Sequence, residues 1–111
     1  MSTVIVTGGR NYDDIQKVFE VLDSEAPEKV IQGGAKGADD IAVQWCMERG
    51  VECQTYNADW DTYGRAAGPI RNRQMLEENK NAKVFAFPGG IGTANCVKIA
   101  KELGMTVKEI K

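Results

Sequence analysis

The sequence predicts one α/β domain: a small Rossmann-like fold with a five-stranded parallel sheet and helices on both faces. Three observations predict it. Short β-branched runs alternate with longer amphipathic ones in the order βαβαβαβαβ, and right-handed crossovers turn that alternation into a parallel sheet. Ten of the twelve glycines fall in four clusters, each following a strand and preceding a helix. The 111 residues, 42% hydrophobic and 27% charged, suit a single packed domain (1–111) and leave no room for a second.

The first run, TVIVT at residues 3–7, is apolar and β-branched and ends at Gly8-Gly9, so it reads as a buried strand. From residue 13 to about residue 25, Ile15, Val18, Phe19 and Leu22 recur at helical steps behind Asp13 and Asp14, which suit a helix start as caps. Pro27 closes that helix, KVIQ at residues 29–32 makes a second strand, and GGAKGADD opens a helix carrying Ile41, Ala42, Trp45 and Cys46 on one face. Asp40 reads as a further cap. Gly50 is its stop. VECQTY at residues 51–56 alternates like a strand near a sheet edge, and a long polar loop, NADWDTYGRAAG, follows. Pro69 fits the first turn of a third helix running to about residue 80. KVFAF at residues 83–87 is the fourth strand, residues 91–103 the fourth helix stopped by Gly104, and residues 105–110 the fifth strand. The regularities of open α/β sheets predict strand order 3-2-1-4-5, which places the first and fourth strands side by side at the switch point.

Composition excludes several chemistries. The chain has no histidine, so no Ser-His-Asp triad, Cys-His pair or histidine-ligated metal is available. Three cysteines without a CxxC pair are too few for a thiolate zinc site and suit a reducing compartment; no metal and no cofactor are expected. Trp45 and the three cysteines read as packing residues; Cys96, one turn into the fourth helix, stands where a helix dipole can lower a thiol pKa, but with no base beside it a reactive role is not expected. The opening MSTVIVTGG lacks a basic region and a long apolar run, so a cytoplasmic protein without a membrane partner is expected. A net charge of −2 gives no global attraction to nucleic acid.

In a parallel sheet the four glycine clusters emerge on one edge, at the carboxyl ends of the strands, where open α/β folds bind ligands. Four of five arginines (Arg10, Arg65, Arg71, Arg73) and six of seven aspartates lie in or just after the same connections, whereas none of the nine glutamates does. Arginine offers a planar fork to phosphate, glycine lets backbone N–H groups approach an anion, and aspartate suits ribose hydroxyls. The expected ligand-binding edge therefore comprises Gly8, Gly9 and Arg10; Gly33, Gly34, Ala35, Lys36, Gly37 and Asp39; Arg65, Arg71 and Asn72; and Pro88, Gly89, Gly90, Gly92 and Thr93. The spacing matches neither a P-loop nor the GxGxxG fingerprint. Arg71, about three residues into a helix opened by Pro69, and PGGIGT, nearly bare of side chains, are both suited to a phosphate. Trp60 either stacks on a base or packs its loop against the domain.

Taken together, GGR, GGAKGAD, ADWDTYGRAAGPIRN and FPGGIGT resemble the YspA/YpsA-like branch of the SLOG superfamily, in the same order and over almost the whole chain. Relatives include the LONELY GUY phosphoribohydrolases and the DprA/Smf DNA-processing proteins. The resemblance implies a Rossmann-like fold that binds a nucleotide or nucleotide-derived ligand, in some cases as a sensor in phage and bacterial conflict. It also implies that residues 33–39, Arg71, Asn72 and residues 89–93 line the pocket. LONELY GUY enzymes follow PGGxGT with a catalytic glutamate two residues past the threonine, commonly with a second acidic residue; here these are Asn95 and Cys96. An amide cannot replace a carboxylate in stabilising an oxocarbenium-like transition state, so binding for sensing or sequestration is expected ahead of catalysis. N-glycosidic cleavage, with Asp39 or Asp59 as the catalytic carboxylate, is the alternative. Single-stranded DNA binding through Arg65, Arg71 and Arg73 is a third reading, which the neighbouring aspartates disfavour. Likeness to LONELY GUY proteins further implies a homo-oligomer, a dimer first.

Overall fold

A computed structural model describes residues 2–111. The elements run β1 (Thr3–Thr7), α1 (Ile15–Glu25), β2 (Lys29–Gln32), α2 (Ala38–Arg49), β3 (Glu52–Thr55), α3 (Trp60–Tyr63), a 3-10 turn (Gly64–Ala66), α4 (Ala67–Glu77), β4 (Lys83–Ala86), α5 (Ile91–Glu102) and β5 (Val107–Glu109). All four strand pairings are parallel and the order is β3-β2-β1-β4-β5, as the sequence predicts.

Alternation along the strands builds two cores. Val4, Val6, Val30, Phe85 and Phe87 pack against Val18 and Leu22 of α1 and against Ile41, Ala42, Trp45 and Cys46 of α2. Ile5, Ile31 and Val84 face the other way, onto Met75 and Leu76 of α4 and Cys96, Ile99 and Ala100 of α5. Val18 and Leu22 stand four residues apart on one face of α1 and are fully buried, contributing on the order of 1.5–3 kcal/mol each from water exclusion. The Trp45 indole N–H donates to Asp23 at 2.8 Å, and Arg49 donates to the same carboxylate, tying α2 to α1.

Ends of elements follow local chemistry. Asp14 caps α1 by accepting from the Lys17 N–H at 3.0 Å, whereas Asp13 and Asp40 make no side-chain cap bond. The helix closes at Ala26, held at φ 51 with its N–H on the Leu22 carbonyl, and Pro27 prevents continuation. The main departure from the expected elements lies in 57–68, where a polar loop was expected. There Asp59 accepts from the Thr62 N–H at 3.2 Å and caps the single turn of α3, and a 3-10 turn passes directly into α4. A side-chain cap at Asp59 and a positive-φ Gly64 five residues on suffice for one turn, too short to leave a periodic signature. In consequence α4 begins at Ala67, Pro69 is its third residue and Arg71 its fifth, and it ends at Glu77 rather than near residue 80.

No helix among the described residues is long and apolar enough to cross a membrane.

Candidate functional site

Three glycine turns interlock at the carboxyl edge. The Phe87 N–H donates to the Thr7 carbonyl at 2.9 Å and the Gly9 N–H to the Pro88 carbonyl at 3.0 Å, so pairing between β1 and β4 continues beyond both strands and fills the switch point. The Gly9 carbonyl in turn accepts from the Tyr12 and Ala38 N–H groups, drawing the start of α2 onto the β1 turn. At Gly37 φ is +83, and a Cβ would overlap that carbonyl. Only glycine fits. Gly8, Gly9 and Gly89 are likewise enclosed, by Ala38, by the Pro88-Gly89 backbone and by Thr93.

A second group of residues braces the β2 turn. One oxygen of Asp39 accepts from the Gly33 N–H at 3.1 Å and from the Ala35 N–H at 3.3 Å. Arg71 donates to the Gly33 carbonyl, to the Tyr56 carbonyl at 3.3 Å and to the Asn72 side chain at 2.9 Å, so one guanidinium joins the ends of β2 and β3 to α4. From Asn72 the amide donates to the Gly92 carbonyl at 3.3 Å and to Asn95 at 3.0 Å, extending the connection to α5. The buried polar residues, Thr7, Gln32, Asp39 and Asn72, all stand at this end of the sheet. Gln32 accepts from the Gly34 N–H at 2.6 Å and donates to Thr55, fixing the turn from its other side.

Asp39 is the unusual member. Its second oxygen, Oδ1, is buried with no hydrogen-bond partner among the described residues. Burial pushes its carboxyl from an ordinary 3.8 up to about 6, against the opposing pull of the Ala35 N–H, Arg71 and the Gly33 N–H. Cys96 is fully buried, as a packing residue is, and burial drives its thiol up to about 11, outweighing the lowering by Thr7. Desolvation disfavours the thiolate more than the first turns of α5 favour it.

The start of α5 is different in kind. Gly90 is its N-cap without a side-chain bond, and the first intrahelical bond runs from the Ala94 N–H to the Gly90 carbonyl at 3.0 Å. The N–H groups of Ile91, Gly92 and Thr93 therefore have no acceptor within the helix. A Cβ at Gly90 or Gly92 would meet nothing within 4 Å, and neither residue has the left-handed backbone that favours glycine. Beside them a cleft of about 460 Å³ runs between α5 and the end of β5, lined by Ala86, Pro88, Gly89, Gly90, Thr93, Ala94, Val97, Glu109 and Ile110 among others.

Of the residues expected at the edge, the β2 turn, Asp39, Arg71, Asn72 and Gly92 are joined directly, and the β1, β2 and β4 turns touch. Arg10 and Lys36 are exposed on adjoining turns, and Arg65 is exposed on the 3-10 turn. Arg73 pairs with Glu77 at 3.5 Å on the outer face of α4. Asp59 is engaged in capping α3. Trp60 is 55% exposed and lays its ring edge against Gly68, 3.3 Å from a Cβ position there. Sequence reasoning missed Gln32, Thr7 and the cleft residues of β5. A glutamine ending an otherwise apolar strand was a readable signal for the first; the others depend on which strand lies beside which helix.

A parallel α/β sheet of order 3-2-1-4-5, with interlocked glycine turns over its carboxyl edge, defines a small Rossmann-like domain. The chain belongs to the YspA, cpYpsA-related SLOG family, whose model matches residues 2–63. It is also similar to the Gene 61 protein of Mycobacterium phage D29, with 34% identity over 119 aligned positions that cover 96% of this chain and 94% of that protein. The family match takes in the β1 and β2 turns; the phage relative extends the likeness to nearly all of the chain, α4 and α5 included.

Proposed function

We propose that the protein binds a nucleotide or nucleotide-derived ligand, of the ADP-ribose, NAD-like or cyclic nucleotide class, for sensing or sequestration. The observation that carries this reading is the pair Gly90 and Gly92. Neither glycine has a positive φ and a Cβ at either would meet nothing within 4 Å, yet both leave bare the free N–H groups at the positive end of α5. A phosphate fits there, and the adjoining cleft, about 460 Å³, has the size of a small-molecule site, with apolar Ala94 and Val97 for a base and the Glu109 carboxylate for ribose hydroxyls. Exposed Arg10 and Lys36 on adjoining turns add positive charge. A phage protein among the relatives fits a role in phage–bacterium conflict.

Binding is favoured over cleavage because Asn95, where LONELY GUY enzymes keep a glutamate, is an amide held by Asn72. Isothermal titration with AMP, ADP-ribose, NAD and a cyclic nucleotide tests the proposal. At least one is expected to bind at micromolar to millimolar concentration, and absence of heat and of thermal stabilisation with all four would overturn it. N-glycosidic cleavage remains a second reading on one observation, the buried carboxyl of Asp39 with a pKa of about 6. Free base released from AMP by the wild type but not by Asp39→Asn would establish it.

A further inference from the structure

Cys46 and Cys53 belong to neither the glycine edge nor the cleft, and their placement is unusual. Cys46 lies in the last turn of α2, in the core between that helix and the sheet. The N–H groups of Gly50 and Val51 both donate to its carbonyl, so the chain reverses at once and β3 starts beneath the helix it has just left. In β3, Cys53 is paired with Val30, whose side chain packs under α1 and α2. Paired residues of a parallel ladder share a face, so Cys53 lies on the side that α2 covers. Burial, with the neighbouring Cys53 thiol adding to it, pushes the Cys46 thiol up to about 12. The two thiols differ in access: Cys46 is 2% exposed, whereas Cys53, on the edge strand, is open to solvent.

We propose that Cys46 and Cys53 form a reversible redox dithiol, a modification site for low-molecular-weight disulfides such as oxidised glutathione. Exposed Cys53 is the sulfur that meets the reagent. Its thiolate attacks one sulfur of oxidised glutathione, the reagent's S–S bond breaks, and one glutathione leaves, taking up the proton Cys53 released. Cys46, the neighbouring thiol on the same side of the sheet, then loses its proton to the second departing glutathione as its sulfur attacks the Cys53 sulfur of the mixed disulfide. Two protein thiols are oxidised to a disulfide and one oxidised glutathione is reduced to two thiols. Cys96 sits in the opposite core, between the sheet and α4 and α5, and serves as an internal control.

The oxidation is read at the β2 turn. Gln32 donates to the Cys53 sulfur at 3.8 Å while its side-chain oxygen holds the Gly34 N–H at 2.6 Å. A disulfide draws that sulfur towards α2 and away from Gln32, which loosens the grip on Gly34.

The full chain is incubated with oxidised glutathione and followed by intact mass, non-reducing peptide mapping and amide exchange. The expected product has lost two hydrogens, contains a Cys46–Cys53 linked peptide with Cys96 free, reverts with dithiothreitol, and exchanges the Gly34 amide several-fold faster. Cys46→Ala is expected to stop at a glutathione adduct on Cys53, and Cys53→Ser to remain unmodified. A wild-type chain that ends as a stable glutathione adduct, as a disulfide between two chains, or fully reduced while its denatured form reacts overturns the proposal.

Discussion

Gly92→Ala separates the fold from the ligand site because its two effects have opposite signs. Gly92 is the second residue of α5, its φ lies outside the positive region, and an added methyl meets no atom within 4 Å. Replacing glycine by alanine in a helix stabilises it by about 0.5–1 kcal/mol, chiefly by restricting the unfolded chain. Unfolding entropy of roughly 2 cal/mol/K per residue converts that gain into a rise of about 2–4 °C in Tm for a domain of this size. The same methyl stands over N–H groups that a bound phosphate would use. Loss of one charge-assisted hydrogen bond, about 1.5–3 kcal/mol, weakens binding by at least about tenfold. Differential scanning fluorimetry without ligand and calorimetric titration with whichever nucleotide binds the wild type measure the two effects separately. A fall in Tm would show that the fold does need this glycine, and unchanged affinity would show that the start of α5 is not the phosphate seat.

Two further outcomes follow from the same edge. Asp39 has its folded pKa raised to about 6 from 3.8, so the folded state holds the proton more tightly and stability falls as pH rises from about 4 to about 6, by up to about 3 kcal/mol. Urea titrations across that range should show the slope as the difference between wild type and Asp39→Asn, and a pH-independent difference would contradict it. Gly37→Ala forces alanine to φ +83 and drives its methyl into the Gly9 carbonyl, so a loss of about 3 kcal/mol or more in urea unfolding is expected; a loss below about 1 kcal/mol would mean that the β1 and β2 turns are not locked as described.

Much of this fold was legible because its signals are local. TVIVT and KVIQ carry β-branched runs between turn residues, and the three- and four-residue steps of Ile15, Val18, Phe19 and Leu22 need no distant partner to be read. What escaped was set by single contacts or by distance along the chain. The turn of α3 rests on one cap at Asp59, and it moves the start of α4 two residues ahead of Pro69. Exposure of Cys53 follows from β3 being the outer strand, which its neighbouring residues do not encode.

The sequence by itself determined that glycine, arginine and aspartate gather at one edge of a parallel sheet, because each strand-to-helix connection must emerge there. The tertiary structure decided what each residue does at that edge. Packing encloses Gly8, Gly37 and Gly89 between adjoining turns, commits Arg71 to two backbone carbonyls, and buries Asp39 with an oxygen unpaired among the described residues. Among the three glycines of PGGIGT only Gly90 and Gly92 have room for a Cβ, at the start of the helix that borders the cleft. Spacing along a chain reports which groups share an edge; which of them are free to meet a ligand depends on neighbours brought from elsewhere in the fold.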